Sequence, residues 1–373
     1  MAGSSYGTIY RIATWGESHG AGVGVVIDGC PAGLTLTPDD IQKFLDRRKP
    51  GQSAFTTARA ESDTVLIQSG VFEGRTLGTP ISLFVPNKDQ HSKDYSNIMN
   101  AYRPGHADYT FDQKYGLRDY RGGGRSSGRE TIGRVAGGAV ASLILRDIGI
   151  RLLTYTKAIG PVSIDPLHFD PDVISTNPLY MPDEYAAKEA AAYLKSCISE
   201  KDSAGGIIEC RVSGLPAGLG ETVFDKLDAN LAKAILSIGA VKGFEIGDGF
   251  AAAASRGSAN NDSFLPAKRG GIAKATNHAG GTLGGMSDGD ELIFRAAVKP
   301  TPSIAQPQKT VNKFGEPIEL TISGRHDPVI VPRAVVVVES MAAITILDLL
   351  LINMSAKLDH IKWFYNSESG LHT

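Results

Sequence analysis

Val26-Ile-Asp-Gly-Cys-Pro-Ala-Gly-Leu34 is echoed 185 residues later by Arg211-Val-Ser-Gly-Leu-Pro-Ala-Gly-Leu219. Each stretch runs from a strand-type apolar pattern into a Gly-x-Pro-Ala-Gly-Leu turn, and a helical pattern follows. The echo predicts a duplicated β-turn-α unit and two pseudo-equivalent halves whose sheets share one core. Chance recurrence of a short turn is the competing explanation. Working outward, strand patterns fall at 7–14, 22–28, 64–69, 81–85, 207–212, 291–298, 318–322 and 333–339. Helical patterns fall at 38–48, 129–146, 185–196, 223–238 and 342–358. Residues 161–182 hold five prolines and read as an irregular connection; glycine-rich 258–290 reads as a long loop, functional or disordered.

At 373 residues the chain has room for one large domain or two to three ordinary ones. Lysine plus arginine total 38 against 40 acids, a net charge of −2, so nucleic-acid wrapping is not indicated and an arginine cluster must be a local device. Glycine is abundant: 43 residues, where about 26 would be usual. Cys30, Cys197 and Cys210 form no CxxC pair, which fits a reducing compartment and neither a disulfide framework nor a zinc site. No export pattern opens the chain, and the apolar stretch 342–354, broken by Asp348 and Asn353, reads as too short to span a bilayer. The expectation is a soluble cytoplasmic protein.

The most unusual segment is Arg118-Asp-Tyr-Arg121-Gly-Gly-Gly-Arg125-Ser-Ser-Gly-Arg129-Glu-Thr-Ile-Gly-Arg134, five arginines around a triple glycine. Ser127 and Glu130 stand at capping-box spacing, so the loop opens a helix. A glycine loop at a helix N-terminus offers unpaired N–H groups and positive potential, and arginine forks add two-point grips on phosphate or carboxylate. The loop reads as an anion holder. A solvated basic loop is the alternative, at odds with the mutual repulsion of five cations.

In the first helix Thr37 caps, Pro38 suits the first position, and Ile41, Phe44 and Leu45 mark the buried face. Arg48 continues that apolar stripe at i+7. A guanidinium there either snorkels past the helix end or meets a buried anion. Two histidines sit in turns, Gly16-Glu-Ser18-His19-Gly20 and Arg103-Pro-Gly-His106-Ala-Asp108, where an imidazole could serve as general acid or simply lie on the surface. The first turn matches Gly-x-Ser-x-Gly, but adjacent serine and histidine do not make a hydrolase triad. Ser323-Gly-Arg325-His-Asp327-Pro328 and Lys299-Pro300-Thr301-Pro302-Ser303 are further charged turns after strand patterns. Histidine spacing disfavours a metal, and neither a P-loop nor a Rossmann fingerprint is present.

These turns, in order, make the chain resemble the chorismate synthase family. The matching stretches are Gly16–Gly20, Asp46-Arg-Arg-Lys-Pro-Gly51, Ser69-Gly-Val-Phe-Glu-Gly74, Arg103–Asp108, 114–127, Ala240-Val-Lys-Gly-Phe-Glu-Ile-Gly247, Asn277-His-Ala-Gly-Gly-Thr-Leu-Gly-Gly285, Lys299–Ser303 and Gly324–Pro328. The resemblance implies an α+β fold, a β-α-β sandwich in one domain over 1–373, assembled as a homotetramer. It implies a shikimate-pathway lyase converting 5-enolpyruvylshikimate 3-phosphate to chorismate and phosphate by anti 1,4-elimination, with reduced FMN required but not consumed. The partner would be that small anionic substrate, with no nucleic acid and no membrane. The source of reduced flavin, external or an intrinsic NADPH-dependent (NADP) activity, stays open.

By the family's pattern, His19 resembles the acid that protonates departing phosphate, His106 the histidine at the flavin pyrimidine edge, and Asp327 the carboxylate beside flavin N5. Arg125, Ser126, Ser127, the Gly239-Ala240 turn, Gly284, Lys299, Pro300, Thr301, Pro302, Ser303 and Arg325 resemble the FMN set. Ser18, Arg48 and Arg134 resemble substrate ligands. Two stacked anions in a dry pocket need fixed cations, which arginine supplies because it stays charged when buried. Rival readings are weaker: a single Arg-Gly-Gly-Gly-Arg box without interleaved aromatics makes a poor RNA-binding module. Many relatives carry an arginine six residues after the one matching Arg48, and here that position is Ala54, leaving Arg59 or Arg47 to supply the charge. Ala54→Arg is expected to tighten substrate binding, measured by equilibrium titration; unchanged affinity would count against a missing phosphate contact there.

Overall fold

The computed structural model describes residues 3–51, 55–56, 61–88, 98–121, 123–267, 271–322 and 327–366. The first half runs β1 (Arg11–Gly16), β2 (Gly22–Asp28), α1 (Pro38–Arg48), β3 (Leu66–Ile67), β4 (Ile81–Pro86), α2 (Asp108–Tyr115) and α3 (Thr131–Asp147). The second runs β5 (Arg151–Ile159), α4 (Glu184–Ser199), β6 (Gly206–Ser213), α5 (Leu227–Leu236), β7 (Val241–Ile246), β8 (Leu292–Val298) and α6 (Val331–Asn353). The first sheet orders its strands β1-β2-β4-β3 and the second β5-β6-β8-β7, each with one further two-residue strand outside β1 or β5. All these pairings are antiparallel.

The strand order therefore repeats, and so do the turn contacts. Gly33 N–H donates to Thr76 O at 2.8 Å and Gly218 N–H to Ser287 O at 2.7 Å. Leu34 N–H donates to Thr76 Oγ1 at 3.0 Å, and Leu219 N–H to Ser287 Oγ at 2.9 Å. Both hydroxyls return a bond to a turn carbonyl, Thr76 to Pro31 and Ser287 to Pro216. The duplicated unit is real, down to individual hydrogen bonds.

Helices α3 and α6 lie face to face between the sheets: α3 backs the first sheet, α6 and α5 the second, α1 packs on both α3 and α6, and one hydrophobic core runs through all layers. Glycines make this thickness workable. A Cβ on Gly133 or Gly137 would reach Thr14 Cγ2 at 2.9 Å or Ile12 Cγ2 at 3.0 Å, so α3 lies directly on β1. On its other side, a Cβ on Gly138 would sit 2.2 Å from Ser340 Cβ. Asp348, on α6, accepts the N–H groups of Thr8, Ile9 and Tyr10 at 2.8, 2.7 and 3.0 Å, tying the chain start to the central helix.

Several expectations need correction. Residues 333–339 are not a strand but part of the 23-residue α6. Val335 through Leu349 are buried on every side, so no polar face marks a 3.6 period, and the β-branched run imitates a buried strand. α6 is also long and apolar enough to cross a membrane, contrary to the length argument, but 83% of its most apolar window is enclosed by the protein. The Ser127–Glu130 capping box does not form: Ser127 Oγ accepts from Arg129 N–H, a short 3-10 turn intervenes, and α3 begins at Thr131. Strand 64–69 shrinks to Leu66–Ile67, and helix 223–238 to Leu227–Leu236. Within 258–290 the described part is ordered by a buried Lys274, which pairs with Asp288 at 2.6 Å and Asp290 at 3.3 Å, and lies 3.7 Å from Asp262.

Gly138→Ala is expected to cost about 3 kcal/mol, because the methyl group must push two core helices apart. Urea unfolding measures it; a change below about 0.5 kcal/mol would contradict so close a crossing.

Candidate active site

The triple glycine shapes the site by what it lacks. Gly123 and Gly124 both take positive φ, 85° and 52°. A Cβ on Gly123 would meet His106 Cε1 at 3.3 Å, and one on Gly124 would meet Asp119 Cβ at 3.4 Å and Glu17 Cγ at 4.0 Å. The two histidine turns thus converge on one bare backbone tip. Asp119 is close enough to His19 for that imidazole to help hold its carboxyl below the ordinary value. Burial acts the other way, and Arg121 supplies more of the lowering than His19.

The five arginines divide in a way the loop sequence does not reveal. Arg118 is buried against Asp108 and Asp112 and also donates to three backbone carbonyls. Arg121 pairs with Asp119 at 2.9 Å. Arg134 forks onto Glu130 at 3.0 Å and onto Ser237 at 2.6 and 3.1 Å, fastening α3 to the end of α5 instead of turning toward Arg48. Arg125 donates to Thr14 and Gly16, neutral oxygens at the end of β1. Arg129 enters a buried ionic cluster.

That cluster resolves the Arg48 question in favour of a buried anion. Arg48, 2% exposed, donates to Asp63 Oδ2 at 2.7 Å, Thr131 Oγ1 at 3.0 Å and Gly128 O at 3.1 Å. Asp63 Oδ1 takes Arg129 Nη1 at 3.0 Å, and Glu61 lies 3.6 Å from the same nitrogen. Burial is the largest influence on the Arg48 guanidinium. With Arg333 and Arg129 it outweighs Asp63 and lowers the group to about 10, still charged at neutral pH. Arg333 joins from α6, donating to Arg48 O at 3.0 Å and pairing with Asp327. Arg47 forks onto Glu339 instead, so it does not stand in for position 54. Positions 54, 59 and 325 lie outside the described residues.

His106 Nδ1 is 2.9 Å from Arg103 Nη2 and 3.2 Å from Asp108 Oδ1. Burial alone would raise the Asp108 carboxyl, but hydrogen bonds and charge from Arg103 and His106 win and hold it far below the usual range. Lys299 Nζ donates to Gly105 O at 2.6 Å, bringing the 299–303 loop onto this turn, and Lys299 N–H donates to Ala240 O at 2.9 Å. Burial, then the neighbouring Lys242, lowers the Lys299 ammonium. Ala240 holds φ of 71°, a strained value for a residue with a Cβ. Ser126 Oγ donates to Gly123 O at 2.7 Å, closing the loop that Ser127 caps. Gly239 has open space beside it; Gly284, φ 61°, stands apart at the tip of the hairpin that braces the second Gly-Leu-Pro-Ala-Gly-Leu turn.

Apart from Arg118 Nη1, which is ion-paired with Asp108, three buried polar atoms here have no hydrogen-bond partner among the described residues: Ser18 Oγ, Arg129 Nη2 and Thr301 Oγ1. Buried polar atoms without partners cost about 1–3 kcal/mol each, so these three can take a further hydrogen bond at no loss of an existing one. A profile of the chorismate synthase family matches residues 10–351. The chain belongs to that family. Chorismate synthase of Agathobacter rectalis is 66% identical, covering 98% of this chain and 99% of the relative. That of Methanosarcina mazei is 54% identical over 93% and 96%. A crystal structure of a chorismate synthase superposes with a TM-score of 0.75 at 31% identity, covering 96% of each chain. As a chorismate synthase family member, the protein is a carbon–oxygen lyase of aromatic amino acid biosynthesis.

Sequence reasoning missed Asp63, Arg129, Asn87, Arg103, Asp108 and Arg333. Asp63 and Asn87 are isolated polar residues in connecting segments, with no spacing that could signal their partners. Arg129 and Asp108 were in view only as parts of longer motifs. Because Asp108 titrates lower folded than unfolded, the unfolded chain takes up its proton first as pH falls. Its pairing therefore stabilises fully above about pH 5 and is lost progressively as pH drops through about 4 and below. Asp108→Asn is expected to be less stable at pH 7 and to show a flatter pH dependence, the gap in urea midpoint to the wild type narrowing as pH falls below about 4. Parallel curves would refute it.

Proposed function

We propose that this chain converts 5-enolpyruvylshikimate 3-phosphate into chorismate and phosphate by anti 1,4-elimination, with reduced FMN bound beside the substrate. One observation carries the reading: the site is a single connected set of contacts. It runs from Lys299 to Gly105 and the His106 turn, which faces the Gly123-Gly124 tip; Arg125 beyond that tip donates to Gly16 O at the His19 turn, and Asn87 and Arg129 lead on to Asp63, Arg48, Arg333 and Asp327. Such a set is preorganised for a polyanionic ligand, since its cations are already fixed and desolvated.

Arg129 Nη2 and Ser18 Oγ are the open donors for the substrate phosphate, beside His19. Arg48 supplies the second fixed charge. His19 would deliver a proton to the leaving phosphate oxygen, a general-acid role suited to imidazole near neutral pH. Thr301 Oγ1, the strained Ala240 turn, Lys299 and Arg125 suit a phosphorylated flavin, with His106 along its edge. Reduced FMN would supply electron density to the allylic system. Asp327, paired with Arg333, would help remove the ring proton. Arg134 serves better as a fastener of α3 than as a substrate ligand.

Three buried free thiols support a reducing, cytoplasmic setting. Trp15 and Leu66, 42% and 49% exposed on the outer face of the first sheet, support association into the homotetramer. The test is anaerobic: protein, substrate and photoreduced FMN should yield chorismate, and omission of flavin should abolish turnover. His19→Ala is expected to slow turnover by roughly 10²–10⁴. Full activity of that variant would remove His19 from the chemistry, and no chorismate under complete conditions would remove the function.

A further inference from the structure

We propose that Asn87 is a positioning residue for His19, clamping the His19 turn onto the anion-binding guanidinium of Arg129. The inference rests on the reading of His19 as the acid. Asn87 directly follows β4, and its backbone N–H donates to Ala21 O at 3.1 Å, which seats it beside the turn. Its Nδ2 donates to Glu17 O and to Gly20 O, each at 2.9 Å, so the two carbonyls that bracket Ser18 and His19 share one amide. Its Oδ1 accepts Arg129 Nε at 2.9 Å. The amide orientation is dictated by these partners: the donor end faces two carbonyls, and the acceptor end faces a guanidinium that has no lone pair to offer.

Arg129 in turn holds Asp63, which holds Arg48. The turn bearing the acid and the two buried cations therefore form one hydrogen-bonded body. A general acid must come within about 2.6–3.2 Å of its target oxygen, and an offset near 1 Å can cost about a hundredfold. Gly16 ends β1 at φ 89°, and within the turn a backbone hydrogen bond, Gly20 N–H to Glu17 O at 3.1 Å, closes it, so the Asn87 amide is the side-chain tie that fixes the turn to Arg129. An amide clamps without adding charge. A carboxylate at position 87 would repel both carbonyls and bias the nearby imidazole.

The experiment is a double-mutant cycle with the intact protein, reduced FMN and substrate. Asn87→Asp keeps the acceptor for Arg129 but loses both donors; Asn87→Ser shortens the side chain without adding charge. Each is expected to lower kcat by about 10–100-fold, with KM changed less than about threefold, measured where circular dichroism shows the variant folded. In a His19→Ala background the same substitutions should change kcat by less than about twofold, because the group they position is gone. An unchanged kcat in the single variants, or the same fold loss in both backgrounds, overturns the proposal. The latter would be the mark of a purely structural residue. His19→Ala at full rate would instead sink the reading on which the proposal stands, so the two failures are distinguishable.

Discussion

One carboxylate, Asp63, makes the rest of the site affordable. Its side chain is fully enclosed, its backbone sits at φ 45°, and its two oxygens face two guanidinium groups, Arg48 and Arg129. Two buried cations side by side would otherwise repel each other in a medium that screens little. With Asp63 between them they are immobile, charged and already dehydrated. That is the condition under which hydrogen-bond donors act most strongly on an incoming anion. The same carboxylate joins the end of α1 to the start of α3, so the cluster is also a structural joint.

The duplicated frame explains why this joint forms where it does. Each half ends in a long core helix, α3 or α6, and the loops entering them carry the charged residues of interest: Arg125 and Arg129 before α3, Asp327 before α6. Arg333, in the first turn of α6, reaches the carbonyl of Arg48 and so brings the second half to the cluster. The glycine-mediated crossing of α3 and α6 fixes the distance between these loops. Packing in the middle of the sandwich and geometry at its edge are therefore one problem.

Much of this was legible beforehand. The repeated Gly-x-Pro-Ala-Gly-Leu turn announced the two halves, and the matching Thr76 and Ser287 bonds show the physical reason: each turn is closed by a hydroxyl from a following hairpin. Arg48 at i+7 of an apolar stripe left two outcomes, snorkelling past the helix end or a buried anion, and the fold supplies the anion, Asp63. The valine run 335–338 misled, since a helix buried all round carries no periodic signature. The arginine loop misled in part: Arg118, Arg121 and Arg134 spend their charge on nearby acids, and charge density in sequence does not say which cations remain open.

By itself the amino-acid sequence determined what depends on neighbours along the chain: turn chemistry, the apolar faces of α1 and α3, the glycine tip, and the family pattern of histidine and arginine turns. Only the tertiary structure decided the partners. Asp63, Asn87 and Arg333 lie 15, 42 and 285 residues from the groups they hold. A hydrogen bond between such residues exists only once two sheets and two helices have packed. The reason is physical: local preferences act over a few bonds, whereas burying a charge requires a counter-charge that any part of the chain can supply.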